Sequence, residues 1–379
     1  MTTATTTDHA ATDPEDPAGA PPEGRGNEME RRRLGGSGLE VSVFSMGTMT
    51  FGDESEEAVS HAMLDRFVEV GGTLIDTADV YAQGRSEQII GRWLASRSDL
   101  DHLVIATKAF FGTGPHPTDR GAGRRHLTRA LDASLHRLGV DVIDLYQIHC
   151  WDSSSPLEET LATLDDMVRA GKVRYVGVSN VTGWQLQRYL LTARHMGAPP
   201  IVSYQAQYNL LDRHIEWELI PQCVEEGIGM LPWSPLGGGW LAGKYRPDQL
   251  PSGPTRLGDN PARGVEAYAI RNTERTWRIL DEVGAIASAR GVGHAQVALN
   301  WLRRRPSVSS VILGARTVDQ LDENLAALEW SLTSDEAQRL DLVAAPGLPD
   351  YPYGFIEDAA PYRLWEELGT RGGPSPLVV

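Results

Sequence analysis

Four side chains of this 379-residue chain stand out by type and place: Asp76, Tyr81, Lys108 and His149. Asp76 ends the apolar run of Leu74 and Ile75 in "GGTLIDTADVYAQGRSE" (71–87), and Tyr81 follows in a segment too polar to be core. Lys108 closes "LVIATK", and His149 closes "VIDLYQIH". Together these groups could handle a proton. A phenol titrates near about 10 and is a weak acid at neutral pH, unless a neighbouring cation favours its phenolate. A carboxylate can hold that cation in place, and an imidazole can hydrogen-bond the reacting oxygen. Singly each has an ordinary role, since Asp caps turns, Lys snorkels and His is often a satisfied structural residue. At the ends of three successive strands, with a Tyr just past the first, they form a candidate site.

The elements that must position them follow from the apolar pattern. Strand-like runs occur at 41–47, 72–78, 103–108, 142–149, 173–180, 201–207, 227–235 and 308–314, separated by stretches such as "RRHLTRALDASLHRLG" whose apolar residues recur every three or four positions. Alternating strands and helices imply a parallel sheet. Eight such units in about 280 residues fit an α/β fold of the closed (β/α)8 TIM barrel type better than an open doubly wound sheet, the alternative. Ahead of them "RRRLGGSGLEVS" reads as an N-terminal β-hairpin able to plug one barrel end. Residues 1–28, rich in Thr, Ala, Pro and acidic residues, read as a disordered tail; 29–366 read as the barrel domain and 367–379 as a flexible C-terminal tail.

Barrel enzymes work at the carboxyl ends of their strands. Here those ends carry Asp76, Lys108, His149, Ser179 with Asn180, Gln205, and Trp233 with Ser234, so polar groups converge on one mouth. The last strand runs into "GARTVDQLDENL", where Thr317 and Gln320 match a capping box and Arg316 beside a helix N-terminus suits a phosphate. No Gly-x-Gly-x-x-Gly follows the first strand, which removes support for a Rossmann origin of such a site.

Composition narrows the class. Asp and Glu outnumber Lys and Arg by 51 to 35, a formal charge of −16, which argues against a surface built for nucleic acid or an anionic membrane. Two cysteines, Cys150 and Cys223, support neither a disulfide framework nor a Cys-based zinc site, and no metal is expected. With no apolar run long enough to span a membrane and no signal-peptide pattern, a cytoplasmic protein is expected.

Over roughly residues 30–345 the sequence resembles the aldo-keto reductase family, through "GTMTFG", "GGTLIDTADVYAQGRSE", "VIATK", "DLYQIH", "VRYVGVSN", "QAQYNLL", "LPWSPLGGGWLAGKY" and "VILGARTVDQLDENL". The resemblance implies a catalytic tetrad at Asp76, Tyr81, Lys108 and His149, with Tyr81 as proton donor, and NADPH as cofactor. It also implies Ser179, Asn180 and Gln205 at the nicotinamide carboxamide, Trp233 stacked on the ring, and Gly47, Thr48 and Asp76 beside the ribose end. Ser234, Leu236, Gly239 and Lys244 would follow the pyrophosphate, and Gly314, Arg316, Gln320, Glu323 and Asn324 the 2′-phosphate and adenosine. Candidates for the wall of a carbonyl-substrate pocket, besides Tyr81 and His149, are Met49, Phe110, Trp151 and the aromatic tail "DYPYGFIEDAAPYRLW". The Gly- and Pro-rich segment 240–273, with Lys244, Arg246 and Arg256, reads as a cofactor-covering lid or as a surface insertion. "FFGTGPHPTDRGAGRR" and "PWSPLGGGWLAGKY" look similar to actinobacterial aldo-keto reductases, including those of deoxysugar pathways. Three functions are therefore expected to compete: a general NADPH-dependent aldehyde and ketone reductase, a nucleotide-sugar keto- or enoyl-reductase, and a redox-sensing subunit similar to potassium-channel β subunits.

Overall fold

The computed structural model describes residues 29–356 apart from 254 and 259. The expected tails at 1–28 and 367–379, and the end of the aromatic tail after Ile356, lie outside the described residues. Ten strands occur among the described residues. Two form an antiparallel hairpin, β1 (Arg31–Arg33) with β2 (Glu40–Ser42), and eight form one parallel sheet. In sequence order the eight are β3 (Phe44–Gly47), β4 (Leu74–Asp76), β5 (Val104–Ala109), β6 (Ile143–Ile148), β7 (Val173–Ser179), β8 (Ile201–Gln207), β9 (Gly229–Trp233) and β10 (Val311–Gly314). Each pairs with its sequence neighbour and β10 pairs with β3, while a parallel bridge between Met230 and Val308 joins the remaining edges. Eight parallel strands with helices around them make a (β/α)8 barrel.

The helices form where the apolar period and the caps agree. In α3 (Arg124–Leu138) the buried residues Leu127, Ala130, Leu131, Ser134 and Leu138 fall on one face, and Gly139 ends the helix in the left-handed region at φ 66°. In α4 (Leu157–Arg169) Leu157, Leu161 and Leu164 do the same. These faces belong to the large core between helices and sheet.

A smaller core fills the barrel itself. Leu74, Val104, Ala106, Leu145, Val202, Leu231 and Ile312 meet there, with Leu34 and Val41 of the hairpin packed among them. The hairpin therefore closes the end where the strands begin. Gly35 makes its turn at φ 57°, and a Cβ there would stand 2.4 Å from the carbonyl oxygen of Gly227, so the close approach requires glycine. Arg32 Nη1 ties the hairpin to the carbonyls of Arg303 and Val308.

Of the eight expected strands only 201–207 keeps both its ends, and two of the changes show their cause. The run 41–47 divides, because Val41 and Ser42 pair with β1 whereas the barrel strand starts at Phe44. Val43 is the junction, its N–H donating to Glu30 O and its carbonyl accepting from Val311 N. The last strand begins at Val311, not 308, since Val308 makes only the single bridge to Met230.

Candidate active site

The barrel interior dictates which side chains reach the open end. Side chains alternate along a strand, so residues two beyond an interior apolar residue also point inward. Leu74 leads to Asp76, Ala106 to Lys108, Leu145 to Gln147, and Leu231 to Trp233. The interior is apolar at the hairpin end and polar at the other. Register then brings the polar layer together, with Lys108 opposite Gln147 and Ser179 opposite Gln205.

Lys108 is wholly buried and donates from Nζ to Asp76 Oδ2 at 2.7 Å, to the carbonyl of Thr77 at 2.7 Å and to the Tyr81 hydroxyl at 3.2 Å. Asp76 Oδ1 accepts from Gln205 Nε2 at 2.8 Å and more weakly from Gln147 Nε2 at 3.4 Å. Burial alone would lower the Lys108 pKa, but Asp76 and Tyr81 outweigh it and raise it, so the ammonium persists. For Tyr81 the balance runs the other way. Burial raises the phenol's pKa, Asp76 adds to this, and the nearby Lys108 offsets only part of the rise. The expectation that Lys108 makes Tyr81 a stronger acid than a free phenol is thus corrected: burial wins. His149 is held well below its usual pKa by burial and by Lys108, which leaves the imidazole neutral. Its ring lies 5.9 Å from that of Tyr81, and its buried Nδ1 has no hydrogen-bond partner.

Tyr81 sits on a turn held in an unusual shape. Ala82 and Gln83 are left-handed at φ 47° and 59°, followed by Gly84 at φ 87°. Two non-glycine residues in that region cost about 1–2 kcal/mol each, which the packing around the turn must offset. Asn180 and Ser234, at the ends of β7 and β9, are also left-handed at φ 53°.

A cavity of about 450 Å³ opens onto these groups, within the range of small-molecule sites. Asp76, Tyr81, His149, Asn180, Gln205 and Trp233 contribute to its wall. Gly47 lies between Ile312 and Leu313 with no room for a Cβ, which brings the backbone to the cavity edge. Ser234, Leu236, Gly239, Lys244, Gly314, Arg316, Gln320 and Asn324 also line it. An anion fits this donor set, because Lys244, Arg256 and Arg316 place three cations in the cavity wall.

A model described as the Aldo/keto reductase family matches residues 44–345. The chain belongs to that family. This aldo/keto reductase is 36% identical over 348 residues to "Protein tas" of Escherichia coli (strain K12), covering 83% of this chain and 97% of that protein. It is 34% identical over 338 residues to versiconal hemiacetal acetate reductase of Aspergillus parasiticus, covering 83% and 96% respectively. It is also 35% identical over 311 residues to a probable voltage-gated potassium channel subunit beta of Arabidopsis thaliana, covering 79% and 92%. The protein is accordingly an oxidoreductase of a family that generally uses NAD(P)H and small-molecule carbonyl substrates. Among the described residues no helix is long and apolar enough to cross a membrane, and no cluster of His, Cys, Asp or Glu could hold a metal.

Several residues singled out in the sequence lie elsewhere in this reductase. Ser179 is fully buried beneath the wall and accepts from Asn180 Nδ2 at 2.9 Å. Asn180 also donates to the His149 carbonyl and accepts from Trp233 Nε1 at 3.2 Å, so its amide braces the site. Phe110 packs against the large core, and its neighbour Phe111 takes the wall position, edge-on to His149 at 4.8 Å. Trp151 sits off the wall between Trp184 and Tyr189. Glu323 approaches Gly293 at the start of α9 (His294–Leu302). Only half of the capping box forms. Thr317 accepts from Gln320 N, but Gln320 Oε1 turns to the N–H of Arg316. Met49 and Thr48 line the cavity together with Thr50, whose type and position carry no local signal of a site.

The described part of 240–273 is folded rather than a bare insertion. Trp240, fully buried, stacks on Tyr268 at 5.5 Å and donates from Nε1 to the Glu266 carbonyl. Lys244 and Arg256 reach the cavity, whereas Arg246 turns back to the carbonyls of Gly243 and Tyr245. Glu266 accepts from the Ser234 hydroxyl and pairs with Arg256. Glu54 likewise pairs with Arg316 at 2.6 Å and with Arg263 at 2.9 Å. That ion pair joins residues far apart in sequence and has no local signal.

Proposed function

We propose that this protein is an NADPH-dependent reductase of aldehydes or ketones, with Tyr81 as the proton donor. The observation that carries the reading is the buried Lys108 ammonium, shared between Asp76 and the Tyr81 hydroxyl at the cavity wall. When bound, the cofactor supplies a hydride to the carbonyl carbon. Negative charge then develops on the substrate oxygen, and the chain's own groups meet it. Tyr81 gives up its proton, and Lys108 stabilises the phenolate that remains. Asp76 fixes the ammonium against Tyr81 and compensates a charge that would otherwise stand alone in a dry pocket. His149, kept neutral, offers one ring N–H to the oxygen and sets its angle. Arg316, Lys244 and Arg256 would hold the phosphates, and Trp233 would support the nicotinamide.

A binding role is the second reading, favoured by the similarity to a probable potassium channel subunit beta. One experiment separates them. Purified protein and NADPH are offered simple aldehydes, ketones and nucleotide keto-sugars while the nicotinamide absorbance is followed. Multiple-turnover oxidation with any of these supports the reductase and names its substrate class. Tight NADPH binding with no turnover on the whole panel overturns it in favour of the binding role.

A further inference from the structure

Behind Tyr81, away from the cavity wall, lies a second group of buried charges. Asp79 and Glu87, both almost fully buried, flank the turn that carries Tyr81. Glu87 of α2 (Arg85–Ala95) is fully provided for, since Oε1 accepts from Thr107 Oγ1 at 2.6 Å and Oε2 from Arg137 Nε at 2.6 Å. Arg137 of α3 also backs the turn, because a Cβ on Gly84 would stand 3.0 Å from its Cδ. Asp79 has no such provision. Its N–H donates to the Lys108 carbonyl at 3.0 Å, but neither carboxyl oxygen has a hydrogen-bond partner, and the Val80 amide gives only partial support. Two carboxyl groups thus share one guanidinium, and Glu87 already holds it.

We propose that Asp79 is a positioning residue for Tyr81: its buried, unpartnered carboxyl carries a proton below neutral pH, and its ionisation above neutral pH weakens Tyr81 as a proton donor. Two charged carboxylates in a dry site with one cation are disfavoured, and the unpartnered one takes the proton. The groups facing Asp79 agree. Burial and the Glu87 charge raise its pKa to about 7, while Arg137 and Lys108 oppose them. On its own loop Asp79 adds to the rise in the Tyr81 pKa, and Tyr146 of β6 is raised by burial and by Asp79 and Glu87 together. An ionised Asp79 would also draw on the field of Lys108 that favours the Tyr81 phenolate.

The proposal rests on the reductase reading and has a readout independent of it. Unfolded, an Asp titrates near about 4. With the folded value raised to about 7, the stability associated with a protonated Asp79 is fully present below about pH 4 and lost as pH rises through about 7. Asp79→Asn keeps the shape and removes this loss. Its melting temperature should therefore gain on the wild type between pH 5 and pH 8, measured without substrate. In steady-state reduction the wild type should lose kcat/KM as pH rises through about 7 and level off at a lower value, and Asp79→Asn should lack that limb. Glu87→Gln should move the limb to lower pH, because it removes the like charge that keeps Asp79 neutral. A melting difference that does not change with pH, or identical limbs in wild type and Asp79→Asn, overturns the proposal. A wild type inactive on every carbonyl overturns the reductase reading, and with it the effect on Tyr81, even where the melting result shows Asp79 ionising.

Discussion

Arg213, Glu216, Arg305 and Asp341 form one buried ionic cluster, and Asp76, Lys108, Tyr81 and His149 another, and the two are completed in different ways. In the first, Arg213 grips both Glu216 oxygens at 2.8 and 2.9 Å, and Arg305 reaches both Asp341 oxygens at 2.9 and 3.2 Å. Tyr208 and Trp301 add hydrogen bonds at 2.6 and 2.9 Å, and both guanidiniums lie over the Trp301 ring. Charges balance two against two, with the carboxylates saturated. This cluster fastens the segment after β8 to α11 (Ser334–Val343). The second also balances Asp76 against Lys108, but it leaves His149 Nδ1, on a residue of the cavity wall, without a partner. Buried polar groups are nearly always satisfied, so groups left open at a cavity mark a place kept for something else. In these two clusters saturation goes with fastening, and the open group goes with the cavity.

The contrast can be broken most severely by neutralising each cluster. The double variant Asp76→Asn with Lys108→Met should lower kcat by at least about 10²–10⁴-fold, yet unfold in urea no earlier than the wild type, since removing both charges leaves neither unpaired. Retained turnover would show that this pair is merely structural. In the saturated cluster Arg305→Met leaves two buried carboxylates with one cation and should cost about 3–5 kcal/mol of unfolding free energy, with kcat/KM unchanged. A variant as stable as wild type would contradict its fastening role.

The anion side of the cavity sharpens the comparison with a smaller effect. A charge-assisted pair is worth roughly 1.5–3 kcal/mol. Because Glu54 already holds Arg316, binding of a 2′-phosphate exchanges one partner for another. Arg316→Ala should therefore weaken NADPH by about tenfold, the low end of that range, and leave NADH nearly unchanged, as read by titration of cofactor fluorescence. Equal losses for both cofactors would remove Arg316 from the phosphate. The smallest effect belongs to an exposed pair. Arg92 meets both oxygens of Glu57 on the surface at 2.7 and 2.8 Å, and Arg92→Ala should change unfolding free energy by less than about 1 kcal/mol.

What could be read from the sequence follows the reach of local rules. Strand alternation carries Asp76, Lys108 and Trp233 to one end once the apolar runs are recognised, because period two holds within an element. It fails just past an element. Beyond β5 the chain leaves the sheet, so parity no longer says whether Phe110 or Phe111 faces the cavity. The division at Val43 was hidden because both strands it joins are buried and their apolar residues run together. Glu54 with Arg316, and Glu266 with Ser234, are contacts between distant segments that no local pattern encodes. Asp79 and Glu87 lie within 71–87, where the sequence signal is two further acids between Leu74 and Ile75 on one side and Ile89 and Ile90 on the other.

Tyr81, held by Lys108, is the group proposed to protonate the substrate oxygen, and Tyr81→Phe removes that proton alone. Turnover of the best carbonyl substrate and NADPH affinity by tryptophan-fluorescence titration should be measured on the same preparation. The expected result is a fall in kcat of about 10²–10⁴-fold, with NADPH binding within about twofold of wild type, because the ring still packs and only the hydroxyl is gone. A variant that keeps more than a few per cent of wild-type turnover would contradict it.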